Sequence, residues 1–293
     1  MKVSVLMPTF NHELFIAQAI ESFLNQKCDF DIELIIGNDA STDHTFEVVQ
    51  QYFSKYPEKI KLIDHKQNVG LLRNYKSVLE LAKGEYIAIL ESDDYWTDEY
   101  KLQKQIEFLD LHPDYGLSFT RWERLRDNVL SLRDDDTEIL TKNAGKLYER
   151  FLLRNIIFSP TVCFRRSLYE KYCDIDDYIQ LQFKVFDYPV WLSIIRHSRI
   201  HYLNSPTAVY RVLNSSISNN IDLNHRLEFE RNIANVRRYI ISLYGSGTLK
   251  LHQLATREAI VKARCAFRQG KFFLALYILM AGILNPQNFK KII

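Results

Sequence analysis

Tyr86-Ile87-Ala88-Ile89-Leu90-Glu91-Ser92-Asp93-Asp94-Tyr95-Trp96 is the stretch that decides the fold. Tyr86 to Leu90 is an unbroken apolar run, which reads as a buried strand. The carboxylates of Glu91, Asp93 and Asp94 follow at once, and Tyr95 to Glu99 leads towards a helix. Acids are therefore packed where a strand ends, and in open α/β sheets that edge is where ligands bind. Like charges this close repel unless a cation or hydrogen-bond donors answer them. A hard divalent metal held by oxygen ligands and carrying a phosphate group is the simplest answer. A solvated acidic turn before a helix cap is the plain alternative.

Outward from this stretch, strand and helix alternate over residues 1–120. Val3 to Met7 reads as a strand, followed by a helix capped by Asn11 with Leu14, Ala17, Ile20, Phe23 and Leu24 on one face. Ile32 to Ile36 is the second strand, and Ser41 or Thr42 caps the next helix. Ile60 to Ile63 is a third strand, and Leu71 to Ala82 a helix that stops at Gly84. Thr97 is read as the cap of a helix ended by Pro113, and Leu117 to Phe119 as a fifth strand. Such alternation implies a mostly parallel sheet with helices on both faces. Right-handed crossovers then gather Asn11, Asp39 and the acids at one rim. Beyond residue 120 the pattern is less regular. Helices are expected over Leu147 to Leu153 and Asp187 to His197, a short strand at Val162 to Phe164, and helices throughout 222–293. Asp134-Asp135-Asp136 reads as an exposed loop without a function.

Composition excludes some classes. The 293 residues carry 38 Lys and Arg against 36 Asp and Glu, a formal +2, so no nucleic-acid partner is expected. Cys28, Cys163, Cys173 and Cys265 match no zinc spacing and read as free thiols in a reducing compartment. Met1 to Pro8 reads as a strand rather than a signal peptide, which points to the cytoplasm. The first strand is not followed by Gly-x-Gly-x-x-Gly, which leaves a dehydrogenase little to stand on.

In order along the chain, Val3-Ser4-Val5-Leu6-Met7-Pro8-Thr9-Phe10-Asn11, Asn38-Asp39-Ala40-Ser41-Thr42-Asp43, Asn68-Val69-Gly70 and Glu91-Ser92-Asp93-Asp94-Tyr95-Trp96 resemble the family 2 glycosyltransferases of the GT-A fold. The resemblance covers roughly residues 1–220. It implies a Rossmann-like GT-A domain over 1–221, with a nucleotide-sugar half at 1–120 and an acceptor half at 121–221, followed by a helical region at 222–293. It also implies that Pro8, Thr9 and Asn11 line the nucleotide pocket and that Asp39 contacts the base. Asn68, Gly70 and Arg73 would lie beside the donor, with Glu91 at its ribose and Ser92 in the same nucleotide-sugar site. Asp93 would hold Mn²⁺ or Mg²⁺. Asp94, Trp96 and Trp191 are placed on the acceptor side.

Two later stretches extend the resemblance. In Phe186-Asp187-Tyr188-Pro189-Val190-Trp191-Leu192, Asp187 matches the proposed catalytic base; the plain alternative is a helix N-cap with Trp191 in the core. Tyr210-Arg211-Val212-Leu213-Asn214-Ser215-Ser216-Ile217-Ser218 resembles a Tyr-Arg-x-His-x-x-Ser-x-Ser loop. Leu213 stands at its His, and Arg211 is expected to supply charge to the leaving group or to form a structural ion pair. The implied activity is inverting transfer of a sugar, from a UDP-sugar, to a hydroxyl of a glycan or lipid-linked acceptor in bacterial cell-surface polysaccharide synthesis. The alternative is a non-catalytic nucleotide-sugar or glycan-binding module, supported by Glu91 in place of Asp and by Leu213.

Phe272 to Met280 is apolar nearly all round. Lys262, Arg264, Arg268 and Lys271 precede it, and Lys290 and Lys291 follow. Such a helix suits the inner face of the cell membrane. It equally suits packing on the catalytic domain or in a homodimer.

Overall fold

A computed structural model of the chain describes residues 1–132, 147–213, 223–268 and 270–284. The acidic run at 134–136, the stretch from Asn214 to Ser218, and Lys290 and Lys291 lie outside the described residues.

The chain opens with β1 (Val3–Thr9), α1 (Ile16–Leu24), β2 (Ile32–Asn38), α2 (Thr45–Lys55), β3 (Ile60–Asp64), α3 (Leu71–Leu81) and β4 (Tyr86–Ile89). It continues with β5 (Tyr95–Trp96), α4 (Lys101–Leu111), β6 (Tyr115–Arg126), β7 (Val129–Leu132) and α5 (Leu147–Leu153). Then come β8 (Cys163–Arg165), α6 (Arg166–Tyr172), α7 (Ile175–Gln180), α8 (Asp187–His197) and β9 (Arg199–Arg211). The helices α9 (Leu223–Tyr244), α10 (Leu251–Arg268) and α11 (Phe272–Leu284) follow.

Among the described residues nine strands join in one sheet, in the order β3-β2-β1-β4-β8-β6-β9-β5, with β7 paired to β6. The N-terminal half is parallel throughout: β2 lies between β3 and β1, and β1 pairs with β4. β8 runs antiparallel to β4 and β6, β6 and β9 are parallel, and β5 returns antiparallel on β9. Every residue of β1 and β4 is buried, as strands covered on both faces require. On one face Val3, Val5 and Met7 of β1 and Tyr86 and Ala88 of β4 join Ile16, Ile20 and Phe23 of α1 and Leu102 and Ile106 of α4 in one core.

Gly37 of β2 sets the seat of α3. A Cβ there would lie 2.1 Å from Asn74 Oδ1 and 2.8 Å from a Val78 methyl. Its absence lets Asn74 Nδ2 donate to Gly37 O at 2.7 Å, so α3 lies directly on the strand.

Several caps differ from expectation. Asn11 does not cap α1; it is left-handed (φ +56°), and its Oδ1 accepts the Thr42 N–H at 2.8 Å. Asp43, not Ser41 or Thr42, serves the start of α2, its Oδ1 accepting the Thr45 N–H at 3.0 Å. Asp98, not Thr97, serves α4 through the Tyr100 N–H at 2.9 Å. Tyr95 and Trp96, read as leading into a helix, pair as a strand with Val209 and Ala208.

The chain divides into two compact units, Met1–Ala144 with Ile156–Val212, and Gly145–Asn155 with Leu213–Ile293. α5 thus groups with the C-terminal helices rather than with the sheet. Within that second unit the Tyr148 hydroxyl donates to Gly245 O at 2.8 Å, and Glu149 accepts the Thr248 N–H at 3.0 Å.

One histidine makes the first unit acid-sensitive. His201 of β9 is half-buried, stacked on Phe108 at 3.5 Å, with Nδ1 3.0 Å from Ser118 Oγ. Burial first, and His112 second, push its imidazole down to about 4. The unfolded chain binds this proton more readily, so stability is full above an ordinary pKa of about 6.5 and is lost as pH falls through the window down to about 4. The loss should reach at most about 3 kcal/mol. His201→Phe should keep the stacking and flatten that pH slope in urea unfolding; an unchanged slope would show the proton resides elsewhere.

Candidate active site

The carboxyl ends of β1, β2 and β4 meet at one rim, because the three strands are adjacent and parallel. Pro8 and Thr9 end β1 and are buried, and Thr9 Oγ1 meets no hydrogen-bond partner. Asn11 follows, exposed, its N–H donating to Ser41 Oγ at 3.0 Å. Asp39 lies one residue past β2. Its Oδ1 accepts the Val69 N–H at 2.6 Å and its Oδ2 the Gly70 N–H at 3.0 Å, while the exposed Asn68 donates to its backbone carbonyl at 3.2 Å. One carboxylate thus ties the loop before α3 to the strand end. Gly70 (φ +86°) makes the turn into α3, a conformation that L side chains rarely adopt. Arg73 is exposed on the first turn of α3.

The acidic turn follows β4. The Asp94 N–H closes it on Glu91 O at 3.0 Å. Ser92 is buried beneath it, with Oγ 2.7 Å from His12 Nδ1 and donating to Pro8 O at 3.3 Å, which ties the turn to β1. Glu91 and Asp93 keep partly exposed faces. Asp94 is fully buried; its Oδ1 accepts the Arg211 N–H at 2.8 Å and its Oδ2 meets no partner. Burial first, then the charges of Asp93 and Glu91, hold the Asp94 carboxyl well above the usual carboxylate range.

Asp187 closes the constellation. It opens α8, partly exposed, and its Oδ1 accepts the Tyr188 N–H at 2.7 Å. Its charge reaches the acidic turn. The Glu91 carboxyl is pushed up to about 8, by burial first and then by Asp93 and Asp187, against a hydrogen bond from Ser159 that lowers it. Tyr75 of α3 marks the meeting point. It is buried, and its ring stacks on Phe186 with centroids 4.1 Å apart and planes 11° apart. Burial, then Glu91, Asp187, Asp93 and Asp94, drive its hydroxyl well above its ordinary range. The charges of four carboxyl groups from two distant stretches of sequence therefore reach one phenol.

The profile of "Glycosyl transferase family 2" matches residues 4–173, more than half of the chain. The chain belongs to glycosyl transferase family 2. Among its relatives, the uncharacterized protein Rv1520 of Mycobacterium tuberculosis is 33% identical over 71% of this chain and 58% of its own length. The chain thus spans less than two thirds of that relative. The putative teichuronic acid biosynthesis glycosyltransferase TuaG of Bacillus subtilis is 31% identical over 74% of this chain and 82% of its own. WfgD of Escherichia coli, a UDP-Glc:α-D-GlcNAc-diphosphoundecaprenol β-1,3-glucosyltransferase, is 30% identical over 74% and 80%. The fold is that of Staphylococcus aureus TarS bound to UDP-GlcNAc, at a TM-score of 0.62, 20% identity, and coverage of 96% of this chain and 81% of that one. It is also that of the mannosyltransferase PcManGT from Pyrobaculum calidifontis with GDP-Man and Mn²⁺, at a TM-score of 0.59, 17% identity, and coverage of 99% and 82%.

In this family 2 chain four residues expected at the acceptor or the leaving group have the following surroundings. Asp94, Trp96 and Trp191, expected on the acceptor side, are all buried. Asp94 is engaged by Arg211. The Trp96 indole N–H donates to Pro160 O at 2.7 Å, and the Lys101 ammonium lies 4.6 Å from the centre of its ring. Trp191 is wholly buried with its ring edge on Phe164, so it packs the core rather than an acceptor. Arg211, expected at the leaving group, faces the acidic turn from the protein side. Its guanidinium donates to Asp93 O and Gln18 Oε1, and lies 5.1 Å from the Phe15 ring centre and 4.6 Å from that of Tyr95. It acts as a clamp on the backbone that presents Asp93. Sequence reasoning missed Tyr75, Gln18 and Phe15. Nothing in a helix period distinguishes Tyr75 from an ordinary core aromatic.

Proposed function

We propose that this family 2 glycosyltransferase moves a sugar from a UDP-sugar to a hydroxyl of a glycan or lipid-linked acceptor, with inversion, in the synthesis of a bacterial cell-surface polysaccharide. The observation that carries the reading is that the charge of Asp187, distant in sequence, reaches both Glu91 and Tyr75 together with that of Asp93. A transferase of this kind needs a carboxylate for the incoming hydroxyl and countercharge for the departing diphosphate. The names of TuaG and WfgD support the polysaccharide context, and the UDP-GlcNAc bound to TarS supports the donor class.

The residues present suit a divalent cation held in part by protein. The acidic turn has carboxyl groups raised by burial first and then by one another's charge, and an unpartnered oxygen on Asp94. Among the described residues no group of three or more His, Cys, Asp or Glu is placed to hold an ion unaided. Asp93 would therefore hold Mn²⁺ or Mg²⁺ together with oxygens of the donor. When bound, such an ion supplies Lewis-acid stabilisation to the leaving diphosphate.

The chain's own residues do the rest. Pro8, Thr9, Asn11 and the loop tied by Asp39 form the nucleotide wall, with Asn68, Gly70 and Arg73 beside the diphosphate. Glu91 meets the ribose side, and the buried Ser92 ties the turn beneath it to β1. Asp187 takes the proton of the incoming hydroxyl as a general base, and attack opposite the leaving group inverts the anomeric centre. One enzymatic base suffices, unlike the paired carboxylates of glycosidases. The test is transfer and hydrolysis of a panel of UDP-sugars by the whole chain with Mn²⁺. Release of UDP from at least one donor is expected; silence across the panel, with GDP-sugars included, would overturn the reading.

A further inference from the structure

α11 presents an apolar face that nothing among the described residues covers. Ala275 is buried against Ala263 and Ala266 of α10, with Ile278 and Leu279 packed on the same cluster. These residues lie at helical spacing, on one side. The other side holds Phe273, Leu276, Tyr277 and Met280, again at helical spacing, and they are 90%, 59%, 58% and 53% exposed. Phe267, Phe272 and Leu274 are exposed beside them. Monomers seldom leave a contiguous apolar patch of this kind in water.

The charge around the patch selects its occupant. From Ala259 to Ile293 the chain has six Lys and Arg and no Asp or Glu. Arg264 and Lys271 are exposed close to the patch in sequence. A second copy docking through the same face would set one basic segment against another. An anionic surface answers the charge while an apolar layer receives Phe273 and Leu276. Spanning is excluded by length: the 13 residues of α11 reach about 20 Å, against about 30 Å of hydrocarbon. No helix among the described residues is long and apolar enough to cross a membrane. Tyr277, with an apolar ring and a polar tip, suits the headgroup level.

We infer that the outer face of α11 docks in the plane of an anionic lipid bilayer, with the flanking basic residues on the headgroups. The inference rests on the C-terminal unit alone and holds or fails independently of the transfer reaction.

The test is co-sedimentation of the full chain with vesicles of phosphatidylglycerol and phosphatidylethanolamine, beside vesicles of phosphatidylcholine alone. Binding to the anionic vesicles is expected to be at least about tenfold tighter, and to weaken as salt rises from about 0.1 to about 0.5 M. Phe273→Ser with Leu276→Ser should weaken it at least about tenfold. The charge reversals Arg264→Glu with Lys271→Glu should do the same while leaving the α10–α11 packing intact, which keeps the test decisive if the serine pair perturbs folding. Equal binding to both vesicle types, or undiminished binding by both variants, would overturn the inference. So would a dimer in vesicle-free sedimentation that the serine pair dissolves while the wild type ignores lipid.

Discussion

Asp187→Asn is expected to lower turnover about 10³-fold while leaving donor affinity within about twofold. Asp187 opens α8, is partly exposed, and its charge reaches Tyr75 and the acidic turn. Asp94 cannot substitute, because it is buried and bonded to the Arg211 N–H. Asn keeps the shape and can still accept the Tyr188 N–H through its amide oxygen, so α8 should start where it does now. What it loses is the ability to take a proton. The expected signature is a fall in kcat with KM for the donor unchanged. Single-turnover kinetics with the best UDP-sugar would read it directly. A variant keeping more than about a tenth of wild-type turnover would remove Asp187 from the role of base, since a positioned base is worth about 10²-fold or more.

Asp93→Ala should act on binding and chemistry together. Wild type at a donor concentration of about 100 Kd gains about 2.7 kcal/mol. For a chain of this size that is a rise in Tm of at least about 5 °C. The variant should show no Mn²⁺-dependent part of that rise, and turnover should fall about 10³-fold. A chelator should produce the same loss of thermal shift in the wild type and no further loss in the variant. If the variant keeps the full Mn²⁺-dependent shift, the cation is held elsewhere and the reading of the turn is wrong. The two substitutions thus separate the sides of the site: Asp187→Asn spares donor binding, and Asp93→Ala removes it.

The parallel half of the sheet was legible because its strands are apolar runs divided by periodic helices. β1, β2 and β4 obey one rule, burial on both faces, and the strands from Val3 to Leu90 fell within a residue or two of the expected ones. Asp187–His197 and Leu147–Leu153 were legible with the same bounds, since each is a periodic segment. β9 was not. Arg199–Arg211 mixes polar and apolar residues and contains Pro206, which sits where the register with β6 shifts around Arg121. Without β9 there was no way to see that Tyr95 and Trp96 are a strand, or that Arg211 reaches the acidic turn. The misread caps have one cause. Asn11, Ser41 and Thr42 are good capping residues spent on joining two loops across the rim, a use that local spacing does not distinguish from capping. Trp191 was placed on the acceptor side by the resemblance alone; it is wholly buried with its ring edge on Phe164, as the plain alternative had it.

The clamp made by Arg211 bears on where this enzyme can be divided. The stretch that matches the family profile stops at residue 173, before Asp187 and before all of β9. A fragment cut at that border would keep the motifs up to Glu91-Ser92-Asp93-Asp94 and still lose the proposed proton acceptor, the edge partner of β5, and the guanidinium behind Asp93. The recognisable part of the sequence is therefore not an autonomous piece of catalyst, and a chimaera grafting a new sugar preference onto this scaffold has to exchange material on both sides of that border together.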